Sequence, residues 1–187
     1  MRIGFIIGSL SAQSINRRLL HGLQEVIGNR AELVELRIDE LPLYNRDLDG
    51  RFPESAINFK RLLKEVDGLI IATPEYNRSM PAALKNALEW GSRPGGQNAF
   101  PGIPVGIIGA STGRLGTALS QHQLREVLAY LDMPTLGQPE FYHTFDAAHF
   151  DSETGAVSDT NLYRRLGDWA TTFFDHVEKH PRGTERS

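Results

Sequence analysis

The sequence predicts an α/β protein with a mostly parallel, doubly wound sheet that is covered by helices on both faces. Residues 3–7, 69–72 and 105–109 are short apolar runs without polar alternation, which is typical of strands buried on both faces. Each run is followed by a polar loop and then by apolar residues at helical spacing. Strands that alternate with helices form βαβ units, and such units build a parallel sheet.

Composition favours one globular domain with a small-molecule ligand. The chain has 187 residues, of which 40% are hydrophobic, and this suits a single domain over residues 1–181 with a mobile polar tail at 182–187. The net charge is only −3, and both signs are mixed along the chain. Neither a nucleic acid nor a membrane surface is therefore expected as a partner.

The absence of cysteine narrows the chemistry that the chain can perform. Without cysteine it has no disulfides, no thiolate metal ligands and no thiol nucleophile, so any redox reaction requires a bound cofactor.

No apolar stretch approaches the roughly 20 residues of a membrane span, and the N-terminal apolar run is too short for a signal peptide. We therefore expect a cytoplasmic protein.

Periodicity and stop signals predict the elements of the first part of the chain. Strand 3–7 precedes a helix whose apolar residues recur at helical spacing up to Ile27, where Gly28 ends it. Alternating apolar residues predict a second strand at 34–38, and a long loop follows at 41–53.

The middle of the chain repeats this order of elements. A helix over 57–66 leads directly into strand 69–72, which Pro74 ends. Pro81 suits the first turn of the next helix, where its missing N–H costs nothing. A loop rich in glycine and proline follows at 92–104.

The last part of the chain completes a third strand–helix unit. Strand 105–109 is followed by a helix with apolar residues at 124–131. Residues 135–136 and 141–142 are candidate pieces of an edge strand, and apolar residues at helical spacing predict a terminal helix over 162–177.

Three loops are expected to meet at one edge of the sheet. The carboxyl ends of parallel strands lie at the same edge, and ligands of such sheets bind beyond that edge near the topological switch point. The loops that follow the three buried strands are loop 1 (9–17), loop 2 (73–80) and loop 3 (110–116). We call them the crest loops.

Loop 1 is suited to an anion. It leaves a strand and enters a helix, so its backbone N–H groups and the helix dipole favour negative charge there. The loop matches neither the dinucleotide motif nor the triphosphate motif. Donors from Ser9, Ser14 and Asn16 and the charge of Arg17 suit a monophosphate. The alternative is that Ser and Asn only cap the helix.

Loop 2 carries more chemical groups than a turn requires. The ring of Tyr76, the amide of Asn77 and backbone donors near a helix start could bind the polar edge of a flat heterocycle. The alternative is a turn delimited by proline residues, with Ser79 as a helix cap and Tyr76 as a packing residue.

Loop 3 admits two interpretations. Residues 109–113 match the G-x-S-x-G pattern of a hydrolase nucleophile elbow, with Ser111 as the nucleophile. The acid and base of a serine hydrolase would follow in the expected order, namely Asp132 or Asp146 and then His143 or His149. The other interpretation is a glycine-rich loop of small residues, which is either a plain turn or a loop that lets a flat ring approach closely.

A metal site is not expected. His176 and His180 are four residues apart on the terminal helix, a spacing that is compatible with metal binding. No third ligand cluster accompanies them, and histidine is favoured near a helix C-terminus for its positive charge.

The three crest loops together resemble the NADPH-dependent FMN reductase family, which includes chromate, quinone and azo-dye reductases. The resemblance covers about residues 1–145. The motifs that carry it are Gly8-Ser9-Leu10, Ser14-Ile15-Asn16, Pro74-Glu75-Tyr76-Asn77-Arg78-Ser79-Met80-Pro81 and Gly109-Ala110-Ser111-Thr112-Gly113-Arg114-Leu115-Gly116.

The resemblance implies a flavodoxin-like fold with five strands in the order 2-1-3-4-5. It also implies non-covalent FMN and ping-pong hydride transfer from NADPH or NADH to FMN. From FMN the hydride passes to a small-molecule electron acceptor such as a quinone, free flavin, azo compound or chromate. A homodimer or homotetramer is implied as well. A non-enzymatic electron carrier is the alternative, although such flavodoxins are usually strongly acidic.

The family's binding residues can be carried over by position. The resemblance implies no catalytic protein residue, because the flavin carries the chemistry and the protein positions it. The phosphate would be held by Ser9, Ser14, Ile15, Asn16 and Arg17. The isoalloxazine would be lined by Pro74, Glu75, Tyr76, Asn77 and Ser79. Its other edge would pack against Ser111 and Gly113.

Overall fold

Five parallel strands form the centre of the structure, a computed structural model that describes residues 1–182. The strand order is β2-β1-β3-β4-β5, which confirms the flavodoxin-like order 2-1-3-4-5 expected from the resemblance. The strands are β1 (Arg2–Ile7), β2 (Glu32–Glu35), β3 (Gly68–Ala72), β4 (Val105–Ser111) and β5 (Phe141–Thr144). The helices are α1 (Ile15–Ile27), α2 (Glu54–Glu65), α3 (Ala82–Ser92), α4 (Ala118–Tyr130) and α5 (Thr160–Lys179).

The sheet is buried on both faces, as the apolar strand sequences predict. Successive strand residues belong to opposite cores: Ile71 and Ile107 pack with residues of α2, α3 and α4. Their neighbours Ile70 and Ile108 pack with residues of α1 and α5. This alternation follows from the two-residue period of a strand, and it explains why the central strands need apolar residues at every position.

The second strand is shorter than its sequence pattern predicts. β2 pairs with β1 only as far as Glu35, which lies opposite Phe5. Leu36 still donates its N–H to the Phe5 carbonyl oxygen at 2.8 Å, whereas Ile38 is buried on the α2 side of the sheet beyond the end of the ladder. At Ile38 the alternation therefore reported burial rather than strand pairing.

The fourth strand is longer than predicted and takes in the start of loop 3. β4 continues to Ser111 because β5 pairs with it to the end, with Ser111 opposite Thr144. The predicted edge-strand fragment at 135–136 forms a single bridge, between Thr135 and Val105. The fragment at 141–142 is the beginning of β5.

The terminal helix predicted for 162–177 is α5, which packs against α1 on one face of the sheet. Beyond it, Arg182 donates hydrogen bonds to the carbonyl oxygens of Leu63 and Val66. The rest of the predicted mobile tail, residues 183–187, lies outside the described residues. Within residues 1–182, no helix is both long and apolar enough to cross a membrane.

A buried histidine on β5 is expected to make stability depend on pH. His143 is 3% exposed, its Nε2 has no hydrogen-bond partner among residues 1–182, and burial lowers its pKa to about 4. Between pH 6.5 and about 4 the imidazole of His143 is protonated in the unfolded chain but stays neutral in the folded chain. The free energy of unfolding should therefore fall by up to about 1.4 kcal/mol per pH unit as the pH drops through this window.

Chemical denaturation at several pH values measures this effect. His143→Gln removes the titrating group, so its stability should fall less than that of the natural chain between pH 6.5 and about 4. Parallel stability curves for the two proteins would show that His143 does not cause the dependence.

Candidate functional site

The three crest loops form one cleft of about 260 Å³ beyond the carboxyl ends of β1, β3 and β4. Of the predicted site residues, the cleft is lined by Ser9, Ser14, Ile15, Asn16, Pro74, Glu75, Tyr76 and Ser111. Four predicted residues do not line it: Arg17, Asn77, Ser79 and Gly113. The cleft also has lining residues that sequence reasoning missed: Ser11, Gln13, Ala110 and Thr112. All four lie within loops 1 and 3, and Ala110 and Thr112 also belong to the family motif at 109–116, so the sequence did contain a signal for them.

The N-terminus of α1 offers free donors to the cleft. Ser14 is the N-cap, and its hydroxyl oxygen accepts a hydrogen bond from the Arg17 N–H at 3.2 Å. The N–H groups of Ile15 and Asn16 have no acceptor within residues 1–182. Helix capping and anion binding are therefore compatible here, since the cap leaves two first-turn donors available.

The side chain of Asn16 joins loop 1 to β4. Its Nδ2 donates to the Ala110 carbonyl oxygen at 2.9 Å, and its Oδ1 accepts from the Ala110 N–H at 2.8 Å. The residue is 1% exposed. Asn16 thus fixes the spacing of two cleft walls with its side chain, while its backbone N–H in the first turn of α1 has no acceptor within residues 1–182.

Arg17 lies on the other side of loop 1. Its guanidinium donates to both carboxylate oxygens of Glu35, at 3.1 and 2.9 Å, where β2 ends. This pair lines a separate depression between loop 1 and the segment after β2, together with Arg37 and Asp39. The structure therefore does not bring the charge of Arg17 into the crest cleft.

Loop 2 folds back on itself in a two-residue hairpin. The N–H of each of Tyr76 and Ser79 donates to the carbonyl oxygen of the other at 3.0 Å. Between them Asn77 and Arg78 have φ values of 50° and 64°, so both are left-handed, as in a type I′ turn. Asn77 lies at the exposed tip, and the Ser79 hydroxyl donates to Gln123 of α4 at 2.6 Å.

Tyr76 connects loop 2 to loop 1 across the cleft. Its hydroxyl lies 3.3 Å from the Ser9 Oγ, and the residue is 51% exposed. An aromatic ring with one exposed face at the wall of a cleft is suited to contact with a flat ligand.

The carboxylate of Glu75 is directed at α4 rather than at the cleft. Its Oε2 accepts from the N–H groups of Leu119 and Ser120, at 3.0 and 3.3 Å, and its Oε1 accepts from Arg78 at 3.3 Å. The side chain is 7% exposed. The negative charge is therefore balanced by the N-terminal end of a helix and by the guanidinium of Arg78.

The geometry of Ser111 does not match a nucleophile elbow. Ser111 is the last residue of β4, and α4 begins only at Ala118, so no tight strand-to-helix turn carries it. Its Oγ accepts from the Gly113 N–H at 3.1 Å. Within the described residues no histidine hydrogen bonds to Ser111, and His143 Nε2 and His149 Nδ1 are both buried without partners.

No metal-ligand cluster was found at the cleft or elsewhere in the described chain. Residues 1–182 contain no group of three or more His, Cys, Asp or Glu side chains that could hold a metal ion. Apart from Glu75, the cleft is lined by uncharged residues. It therefore suits a ligand whose anionic part meets backbone N–H groups.

Comparison with known proteins agrees with this chemistry. The model of a family described as NADPH-dependent FMN reductase matches residues 1–148. A 2-hydroxy-1,4-benzoquinone reductase from Burkholderia sp. is 46% identical over 164 residues, covering 87% of this chain and 90% of that protein. An NAD(P)H-dependent FMN reductase from Pseudomonas aeruginosa is 41% identical over 160 residues, covering 82% and 83%.

A solved structure extends the agreement to nearly the whole fold. FerB, a flavoenzyme NAD(P)H:(acceptor) oxidoreductase from Paracoccus denitrificans, superimposes with a TM-score of 0.92 at 36% identity, covering 96% of this chain and 98% of that one. These relatives are named as redox enzymes, which does not favour the serine-hydrolase alternative. The family match and the relatives confirm the resemblance inferred from the crest loops: the chain belongs to the NADPH-dependent FMN reductase family.

Proposed function

We propose that the chain transfers a hydride from NAD(P)H to FMN held in the crest cleft and then passes it to a quinone. Membership of the family establishes the type of enzyme and its FMN and NAD(P)H cofactors. The observation that carries the assignment to this site is the convergence of three strand-end loops on one cleft with unpaired helix N-terminal donors.

The residues present fit FMN. The free N–H groups of Ile15 and Asn16, with the hydroxyls of Ser9 and Ser14, form an anion site for the phosphate. Along the isoalloxazine we assign Pro74, Tyr76 and the backbone of Glu75, with Ser111 at the opposite edge, where the Gly113 N–H holds the Ser111 hydroxyl from outside the cleft. Arg17, Asn77 and Ser79 act from outside the cleft by fixing the loops through Glu35, the hairpin turn and Gln123.

The protein's own contribution is positioning. FMN supplies the hydride chemistry when it is bound. The cleft lining contains no histidine or lysine, and the one carboxylate, that of Glu75, is engaged by α4. The proton that the acceptor needs therefore comes from solvent or through the Tyr76 hydroxyl, which lies in the cleft wall. Because donor and acceptor would use the same cleft in turn, the kinetics are of the ping-pong type.

The acceptor is assigned from the relatives and the surroundings of the cleft. The names of the Burkholderia and Pseudomonas proteins point to a quinone and to free flavin, and the resemblance adds azo compounds and chromate as further acceptors. Tyr76, Leu115 and Leu119 are exposed apolar groups near the cleft, which favours a neutral aromatic acceptor such as a quinone.

We also propose that the chain acts as a homodimer or homotetramer in the cytoplasm. The family resemblance described above supports the oligomer, since it implies a homodimer or homotetramer. A cytoplasmic location agrees with the need for reduced nicotinamide cofactors.

Flavin retention and the two half-reactions test the proposal together. The purified protein should be yellow and release FMN on denaturation. Under anaerobic conditions NADPH alone should bleach the flavin, and a quinone added afterwards should restore the colour and yield the quinol. A colourless protein that also fails to take up added FMN contradicts the proposal. Bleaching that requires the quinone to be present contradicts the ping-pong order.

A further inference from the structure

We propose that Glu75 is a positioning residue for the flavin, because its carboxylate joins loop 2 to α4 and its charge balances the helix end beside the cleft. The sequence resemblance placed Glu75 in contact with the isoalloxazine, whereas the structure directs its carboxylate to the helix. This inference rests on the proposed function, since it concerns how the cleft holds FMN.

Glu75 supplies the cap that α4 lacks. The N-cap residue of α4, Thr117, makes no side-chain capping bond, because its Oγ1 accepts from the Gln121 Nε2 at 2.9 Å. The N–H groups of Leu119 and Ser120 are satisfied instead by the Glu75 carboxylate, from a segment 44 and 45 residues away. A helix end that depends on a distant residue fixes the position of that residue as well.

The cap connects two walls of the cleft. Glu75 is flanked by Pro74 and Tyr76, which line the cleft, and α4 is the continuation of loop 3. Two neutral contacts reinforce it: Thr73 Oγ1 lies 3.1 Å from Ser120 Oγ, and the Ser79 hydroxyl bonds to Gln123. Among these contacts between loop 2 and α4, the one made by Glu75 is the contact that involves a charged side chain.

The negative charge of the Glu75 carboxylate also bears on the reduction of a bound flavin. The N-terminal end of a helix carries roughly half a positive charge. At Glu75 that charge and the guanidinium of Arg78 are balanced by a carboxylate that is 7% exposed and therefore poorly screened by solvent. Reduction adds negative charge to a bound flavin, so removing the carboxylate would leave the positive helix end and Arg78 unbalanced, and both favour the reduced form.

Two substitutions at Glu75 distinguish its role in positioning the flavin from the effect of its negative charge. Glu75→Gln keeps an oxygen that can accept from Leu119 and Ser120 but removes the charge, whereas Glu75→Ala removes both. We expect Glu75→Ala to weaken FMN binding by about tenfold or more. We expect Glu75→Gln to change the affinity by less than about threefold and to shift the flavin midpoint potential to more positive values. Fluorescence titration of the apoprotein and a spectroscopic redox titration measure the two effects.

Asp159→Ala is the matched control. Asp159 is the N-cap of α5, and its carboxylate accepts from the Leu162 N–H at 2.6 Å without lining the crest cleft. The variant Asp159→Ala should have a lower thermal stability because α5 loses its cap, while its FMN affinity and flavin midpoint potential should equal those of the natural chain.

Each outcome is decisive. Natural affinity in Glu75→Ala, or an equal loss of affinity in Asp159→Ala, overturns the positioning role. If Glu75→Ala fails to fold, the potential of Glu75→Gln decides, and an unchanged potential overturns the role of the charge. A natural protein that binds no FMN contradicts the proposed function instead.

Discussion

Asn16→Ala is expected to lower the free energy of unfolding of the apoprotein by about 3 kcal/mol and to weaken FMN binding as well. The substitution leaves the buried N–H and carbonyl of Ala110 without partners, at a position where Asn16 is 1% exposed. Each unsatisfied buried backbone group costs about 1–3 kcal/mol. Urea denaturation measures the first effect, and titration with FMN measures the second.

Arg17→Ala, at the next residue along the chain, provides the comparison for Asn16→Ala. Arg17→Ala breaks an ion pair with Glu35 that is about one-third exposed on both sides. Exposed pairs contribute about 0–1 kcal/mol, so both stability and FMN affinity should change less than in Asn16→Ala. A larger loss of FMN affinity in Arg17→Ala would place the phosphate near the guanidinium and contradict the arrangement of the cleft.

Gly109→Ala is expected to destabilise the protein by about 3 kcal/mol and to disturb the cleft from below. A Cβ at this position would overlap Thr117 Oγ1 and lie 2.6 Å from the Thr73 carbonyl oxygen and 2.9 Å from Thr117 Cβ. Thr117 and Thr73 are both fully buried, so neither can move aside freely. The methyl group would push the beginning of α4 away from the beginning of loop 2.

Gly137→Ala controls for the general effect of replacing glycine. A Cβ at Gly137 meets no atom within 4 Å, and its φ is not positive, so its stability should remain close to that of the natural chain. Thermal unfolding of both variants gives the comparison. Equal melting temperatures for Gly109→Ala and the natural chain would show that the packing around Thr117 yields to the added methyl group.

Local sequence patterns predicted the sheet and the place of the cleft well. Apolar runs such as 105–109 report burial on both faces, and their order along the chain determines where the loops meet. The same patterns misjudged strand ends. Ile38 is buried without being paired, and Ser111 is paired although its neighbours resemble a turn.

Side-chain partners were beyond the sequence, because they depend on segments that are distant along the chain. Arg17 has a guanidinium suited to phosphate, yet it meets Glu35 only because β1 and β2 pair. Glu75 was assigned to the ring by position alone, and only the packing of α4 against loop 2 shows its helix partner. No local propensity contains this information.

The bridge between Asn16 and Ala110 spans 94 residues, and this separation determines when a flavin can be captured. During synthesis the chain emerges from its N-terminus, so loop 1 exists long before β4 is made and can close the cleft. Contacts of such separation form late in folding, because the loop entropy must be overcome first. With FMN in the crest cleft, as proposed above, the cofactor would bind only the assembled sheet, and its cellular concentration would shift the folding equilibrium toward that sheet by mass action.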